Sequence, residues 1–154
     1  MSGLFRGVNI ISLDAKGRFA MPTRYREQLA SSCAGKLVAT VDRDHCLLIY
    51  PFPEWEDIER KLVKLPSFNK QARSLQRLLI GHATELDMDA NGRMLLTPPL
   101  RKFAGLEKRA VLIGQGNKFE LWDEQIWNGK CDQWFEEGDL DADGLPPELE
   151  SLSL

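Results

Sequence analysis

Apolar and polar residues alternate in short stretches early in the chain, and the same arrangement returns in its second half. In the first half the alternation predicts four strands, at 5–13, 18–21, 36–41 and 45–50. A helix that Thr23 caps is expected between the second and third of these, at 24–31. The second half repeats this order, with strands at 84–88, 93–96, 111–113 and 119–122 and a helix at 98–103. In each half we expect the first two strands to pair as a hairpin.

Between the halves the apolar residues take the spacing of helices. One helix, which Pro66 ends, is predicted by the stripe Trp55, Ile58, Leu62 and Leu65. A second, which Ser67 caps and Gly81 ends, is predicted by Phe68, Ala72, Leu75 and Leu79. A last helix, beginning after Asp123, carries Ile126, Trp127, Trp134 and Phe135.

One five-residue motif occurs twice and marks an internal repeat. Asp14-Ala15-Lys16-Gly17-Arg18 returns 75 positions later as Asp89-Ala90-Asn91-Gly92-Arg93. Aspartate at the first position and glycine at the fourth favour a type I turn, in which the carboxylate accepts hydrogen bonds from turn amides. These rules do not explain why arginine follows both glycines. It either pairs with the aspartate and closes the turn, or is displayed to an anion.

Neither half alone has enough apolar positions for a stable core, because isolated hairpins need further strands or helices. We therefore predict an α+β, mostly β fold in which two similar units pair their sheets about a pseudo-twofold axis. The expected divisions are a first unit at 5–53, a helical linker at 54–81, a second unit at 82–128, and a helix end with an acidic tail at 129–154.

Composition places the chain among soluble globular proteins, with 43% hydrophobic and 28% charged residues. No apolar run approaches the roughly 18–20 residues that a membrane helix needs, and no export signal is visible. Cys33, Cys46 and Cys131 are widely separated and lack CxxC spacing, which indicates reduced thiols. We expect a cytoplasmic protein.

The net charge of −3 conceals a division of charge along the chain. Residues 131–154 contain eight acidic residues and no lysine or arginine, so they carry −8 and residues 1–130 carry +5. This asymmetry favours a polyanion as the partner of the body. We expect the tail to add nothing to the fold and to weaken polyanion binding at low salt.

Catalysis and metal binding find little support in the sequence. His45 and His82 belong to no nucleophile arrangement or zinc motif, and there is no glycine-rich phosphate loop, so we predict neither an enzyme nor a cofactor. Residues 139–150 match a calcium-binding loop in full. However, Pro146 and Pro147 interrupt that loop and only residues 151–154 follow it, so we interpret the match as coincidental.

Several motifs, in order, resemble the MraZ family of transcriptional regulators: Phe5-Arg6-Gly7, 13–18, 22–26, Tyr50-Pro51 with 53–55, and 114–122. The resemblance runs from Phe5 to about Trp127. It implies two AbrB-like, swapped-hairpin units with DxxxR motifs, assembled into a homo-oligomeric ring on repeated sites in double-stranded promoter DNA. It further implies control of the bacterial division and cell-wall gene cluster, association with the nucleoid, and no membrane or small-molecule substrate.

The resemblance assigns DNA binding to the two motifs and their neighbours: Asp14, Lys16, Arg18, Asp89, Asn91, Arg93, Arg6 and Arg24. Because Asn91 replaces Lys16 in the second copy, we expect Arg18 to contribute more than Arg93. Thr97 stands where the family usually has a proline matching Pro22, so we expect the second helix to start differently. A ring-forming interaction scaffold with no role on DNA is the alternative.

Overall fold

The computed structural model describes residues 4–137, which fold into eight strands and five helices. The strands are β1 (Phe5–Ser12), β2 (Arg18–Ala20), β3 (Lys36–Val41), β4 (Leu47–Pro51), β5 (Thr84–Asp87), β6 (Arg93–Leu95), β7 (Arg109–Gly116) and β8 (Phe119–Asp123). The helices are α1 (Thr23–Cys33), α2 (Phe52–Val63), α3 (Lys70–Leu79), α4 (Pro98–Ala104) and α5 (Glu124–Glu137).

Residues up to Glu124 form one unit, whose centre is an antiparallel sheet in the order β1-β7-β8-β4-β3-β5. By sequence position, β1, β3 and β4 of the first half correspond to β5, β7 and β8 of the second half. If each strand is replaced by its equivalent in the other half, the order reads the same from the opposite edge of the sheet. The register obeys the same exchange: Ser12 lies opposite Arg109, and the equivalent Asp87 lies opposite Lys36. The mixed fold with internal symmetry that the sequence predicts is therefore present in this unit.

The predicted hairpin of the first two strands is wrong. β1 pairs with β7, whereas β2 pairs with β6 in a separate two-stranded sheet. Phe19 lies opposite Met94 at the centre of that pair, and each is only 2% exposed. Pairing the equivalent strands of the two halves places both apolar side chains in one shared core, which a local hairpin would not do.

Successive residues of β3 point to opposite faces of the large sheet, and each face carries its own core. Leu37, Ala39 and Val41 belong to a core that also contains residues of α1, α4, β2 and β6. Val38 belongs to a second core, which contains Trp55 of α2 and includes residues of α3. The linker helices thus cover the face opposite the paired β2 and β6.

Two of the predicted helix starts are wrong and one expected difference does not occur. Pro22, not Thr23, is the N-cap of α1, and Thr23 is the first helical residue. α4 begins after Thr97 at the equivalent position, so the missing proline does not change where it starts. α3 is capped by Asn69, whose side chain accepts a hydrogen bond from the Ala72 N–H at 3.0 Å. Ser67 precedes this cap, in a turn closed by a bond from the Asn69 N–H to the Pro66 carbonyl at 3.2 Å.

The second unit begins at Gln125 and contains the remainder of α5. The rings of Trp127 and Trp134, both on the predicted stripe, meet edge to face with centroids 5.7 Å apart. No helix within residues 4–137 is long and apolar enough to cross a membrane.

The cap of α3 provides a test of the linker. Replacing Asn69 with alanine leaves the Ala72 N–H without its acceptor, and should lower the free energy of unfolding by about 1 kcal/mol. Ser67→Ala, two residues earlier, is the matched control and should change it much less. Urea denaturation of both variants measures the difference, and equal stability losses would contradict the assigned cap.

Candidate nucleic-acid interface

Both copies of the repeated motif form the predicted turn. The Gly17 N–H donates to the Asp14 carbonyl at 3.0 Å, and the Gly92 N–H donates to the Asp89 carbonyl at 2.9 Å. The two glycines have φ values of +88° and +77°, a region that residues with a Cβ rarely adopt. Glycine is therefore required at both positions by the backbone itself.

The aspartate side chains hold the turns from within. One oxygen of Asp14 accepts hydrogen bonds from the backbone N–H groups of Lys16 and Arg18, each at 2.9 Å. Asp89 accepts from Asn91 at 2.8 Å and from Arg93 at 2.9 Å. The bond from the arginine backbone N–H is the main reason that the pKa of each aspartate lies below its usual value.

The two arginines of the motif differ in their contacts. Arg18 Nε donates to the second oxygen of Asp14 at 2.8 Å, with the arginine side chain 43% exposed. Among the side chains described in residues 4–136, no carboxylate lies within 4.0 Å of the Arg93 guanidinium. The second turn thus keeps its backbone bonds without an Asp–Arg side-chain pair. Closing the turn explains Arg18 only in part and does not explain Arg93.

Pairing of β2 with β6 brings the two turns to one surface. The Met21 N–H donates to the Gly92 carbonyl at 2.7 Å, and the Leu96 N–H donates to the Gly17 carbonyl at 3.0 Å. A cleft of about 300 Å³ has Asp14, Arg18 and Arg93 among its lining residues. Arg18 also helps to lower the pKa of Asp89. The structure therefore brings together the charged groups of both motifs.

Two further arginines, absent from the predicted set, reach across to the turn of the other half. Arg26 of α1 lies where a Cβ at Gly92 would stand, and Arg101 of α4 lies where a Cβ at Gly17 would stand. Their Nε atoms donate to the carbonyls of Met21 and Leu96, at 2.6 Å and 3.2 Å. Neither guanidinium has an ion-pair partner among the described residues.

The internal repeat contains a signal that could have identified this second pair. Arg26 and Arg101 stand 75 positions apart, the same separation as the two motifs. Their contacts with the opposite turn, however, depend on the pairing of β2 with β6, which local sequence patterns do not reveal. The repeat therefore indicates that the two arginines are equivalent, without indicating what they cover.

The other predicted residues lie in different settings. Lys16 and Asn91 are exposed in the turns. Arg24 donates to the Asn9 side chain on β1 at 2.7 Å, and its guanidinium carbon lies 4.9 Å from the centre of the Tyr25 ring. Arg6 is exposed on β1, and its carbonyl accepts from the Tyr25 hydroxyl at 2.5 Å. Arg24 is therefore held against the strand that carries Arg6.

The part of the chain that the structure describes contains no group of three or more histidine, cysteine, aspartate or glutamate residues placed to hold a metal ion. The calcium-loop match at 139–150 and the rest of the acidic tail lie outside the described residues.

Comparison with known proteins finds the same family twice along the chain. The sequence model described as "MraZ protein, putative antitoxin-like" matches residues 4–78 and again 79–143. A protein of Halorhodospira halophila named "Transcriptional regulator MraZ" is 60% identical over 152 residues, covering 98% of this chain and 100% of that protein. A protein of the same name from Pseudomonas aeruginosa PAO1 is 56% identical over 156 residues, covering 98% and 100%.

Carboxyl titration by NMR tests the geometry of the cleft. Arg18→Gln should raise the pKa of Asp14, because the side-chain bond is lost, yet leave it below 3.8 because the backbone donors remain. It should also raise the pKa of Asp89, which lies in the other half. Arg60→Gln, which removes the partner of Asp57 on α2, is the control and should move neither value.

The sign of the pH dependence follows from these shifts. Folding lowers the pKa of both aspartates, so the two carboxylates stabilise the turns at pH values above the ordinary pKa of aspartate. This contribution is lost as the pH falls through the lower pKa values of the folded state. An Asp89 pKa that is unchanged by Arg18→Gln would contradict the proximity of Arg18 to the second turn.

Proposed function

Because the chain belongs to the MraZ family, we propose that it regulates transcription by binding double-stranded promoter DNA through its two DxxxR turns. The observation that carries the proposal is the cleft onto which Arg18 and Arg93 converge from different halves. The name of the relatives, transcriptional regulator, supports the same role.

The chemistry of the cleft suits a polyanion. Arginine grips phosphate oxygens with paired donors and also reaches guanine O6 and N7 in the major groove. Arg18 can exchange its exposed contact with Asp14 for a phosphate, since the turn is held by backbone donors to the aspartate. We assign Asp14 and Asp89 to fixing the turns, and Lys16, Arg18, Asn91 and Arg93 to contacting DNA.

Arg26 and Arg101 extend this surface behind the turns. Each has one nitrogen bonded to a backbone carbonyl, which fixes the side chain and leaves other N–H groups of the guanidinium for phosphate oxygens. Arg6 and Arg24 on and beside β1 form a more distant set for backbone contacts. Phosphate contacts set the position of a protein on DNA, and contacts to base edges specify the sequence.

We extend the proposal to assembly and location. Two turns supply few contacts, so a homo-oligomeric ring on repeated promoter sites would raise avidity through effective concentration. The crossing of β2 and β6 supports an AbrB-like, swapped-hairpin description of the two units. The genes regulated would be those of the bacterial division and cell-wall cluster, and the protein would lie in the cytoplasm with the nucleoid.

A ring-forming interaction scaffold is the second candidate. The edge strand β1 favours it, because Val8 and Ile10 are each 60% exposed there. Apolar residues on an open strand edge are typical of surfaces that pair with another chain. This surface accounts for assembly in both candidates, whereas only DNA binding accounts for the arginines of the cleft.

Arginine substitutions distinguish the two candidates. Arg18→Ala should weaken binding to a DNA fragment from upstream of the protein's own gene by about 10- to 100-fold, the effect of one charge-assisted contact. Arg93→Ala should weaken it less, since Asn91 leaves the second turn less basic. Fluorescence anisotropy at fixed salt measures both, and each lost phosphate contact should reduce the salt dependence.

Arg60→Ala removes an exposed arginine on α2 that, like Arg18, pairs with a carboxylate, and it serves as the control for general charge. It should bind DNA nearly as the wild type does. If Arg18→Ala and Arg93→Ala both bound DNA with wild-type affinity and unfolded as the wild type does, DNA binding by the turns would be rejected. The interaction scaffold would then be the remaining candidate.

Sedimentation tests the assembly. The wild type should sediment as a closed oligomer at micromolar concentration, and the double variant Val8→Glu/Ile10→Glu should sediment as smaller species because it charges the exposed edge of β1. Val63→Glu, at an apolar position 61% exposed on α2, is the matched control. A wild type that is monomeric at this concentration would contradict the ring.

A further inference from the structure

A cavity of about 400 Å³ lies beside the turn between β3 and β4, where α3 and α4 reach the same end of the sheet. Its apolar wall is formed by Val41, Leu48, Leu75, Leu78, Leu79 and Phe103. The volume lies within the range of small-molecule pockets, about 300–1,000 Å³. The DNA-binding surface proposed above does not use these residues.

The cavity exists because two cores end here without meeting. Phe103 packs against the core on one face of the sheet, while Leu75 and Leu79 pack against the core on the other. Leu78 is 41% exposed, so the wall opens to solvent on that side. An apolar space of this kind favours a ligand that removes these side chains from water.

The polar residues that line the cavity include the cation Arg43 and the carboxylate of Asp42. Arg43 is exposed, and no carboxylate of residues 4–136 lies within 4.0 Å of its guanidinium. The Asp42 side chain is engaged in its own turn, where it accepts from the Asp44 N–H at 3.1 Å. His45, with φ +63°, stacks on Phe103 with ring centroids 4.9 Å apart and planes at 22°.

We propose that this cavity binds a small amphipathic acid, in which an aromatic or branched aliphatic body carries one anionic group. The body packs against Leu78 and Phe103, and the anion meets Arg43. Asp42 disfavours a second negative charge on the ligand, which limits the class to monoanions.

Helix α4 connects the cavity to the first DxxxR turn. Phe103 lines the cavity, whereas Arg101, two positions earlier on this seven-residue helix, lies against Gly17. Residues two apart on a helix point in different directions, but both side chains move when the helix moves, so a ligand that shifts α4 through its contact with Phe103 also shifts Arg101. The second turn is covered instead by Arg26 of α1, which does not line the cavity. Occupation of the cavity therefore acts more directly on the first turn than on its repeat.

Fluorescence titration with two naphthalene probes tests the site. Anilinonaphthalene sulfonate, a monoanion, and N-phenyl-1-naphthylamine, its neutral analogue, should each bind saturably at one site per chain. Leu78→Trp, which fills the cavity from its exposed side, should weaken both by at least about tenfold. Arg43→Gln should weaken only the sulfonate, by about tenfold, the effect of one lost charge contact.

Val63→Trp places the same side chain at an exposed position of α2 outside the cavity and should leave both affinities unchanged. Urea unfolding confirms that each variant is folded. Absence of saturable binding, or wild-type affinity in Leu78→Trp, would overturn the site. Equal loss of both probes in Arg43→Gln would overturn the assignment of the anion.

NMR of the backbone amides tests the connection through α4. Addition of anilinonaphthalene sulfonate should shift the Lys16 and Arg18 amide signals more than the equivalent Asn91 and Arg93 signals. Equal shifts in both turns, or in neither, would overturn the connection. Since neither experiment contains DNA, its outcome is independent of the proposed function.

Discussion

The structure depends on the pairing of β2 from the first half of the chain with β6 from the second half. Each of these strands has only three residues, too few to be stable alone. Paired with each other they bury Phe19 against Met94 and tie each turn to the opposite half, through the Gly17 and Gly92 carbonyls. The pair thereby joins the halves into one core and fixes the distance between two arginine-bearing turns.

This arrangement repeats the backbone but not the chemistry. Arg18 contacts the carboxylate of its own turn, whereas within the described residues Arg93 has no such partner, and Lys16 is answered by Asn91. The linker breaks the symmetry further, because α2 and α3 cover one face of the sheet. The cavity beside α3 is also lined by Phe103 of α4, the helix whose Arg101 lies against the first turn. The duplicated fold therefore has two similar turns that differ in their charge and in the helices packed beside them.

The sequence predicted those features that depend on neighbouring residues. The repeat, the aspartate–glycine turns and most strands follow from alternation and turn chemistry, which are local. The partner of β2 does not follow from local patterns, because a strand of three residues has too little alternation to specify its register. A hairpin with β1, the preceding strand, was the nearest alternative. The cap of α3 was missed because Ser67 and Asn69 are both good caps, and the turn closed by the Pro66 carbonyl decides between them. The positions of Arg26 and Arg101 over the opposite turns depend on the pairing of β2 with β6. They could not be predicted from the sequence without knowing that pairing.

We propose that two arginines on one cleft, Arg18 and Arg93, bind promoter DNA. Hydroxyl-radical footprinting of the region upstream of the protein's own gene is the decisive measurement, with the wild type and the double variant Arg18→Ala/Arg93→Ala. We expect protection at several regularly spaced sites with the wild type, and none with the folded double variant. Equal protection by both proteins would contradict it.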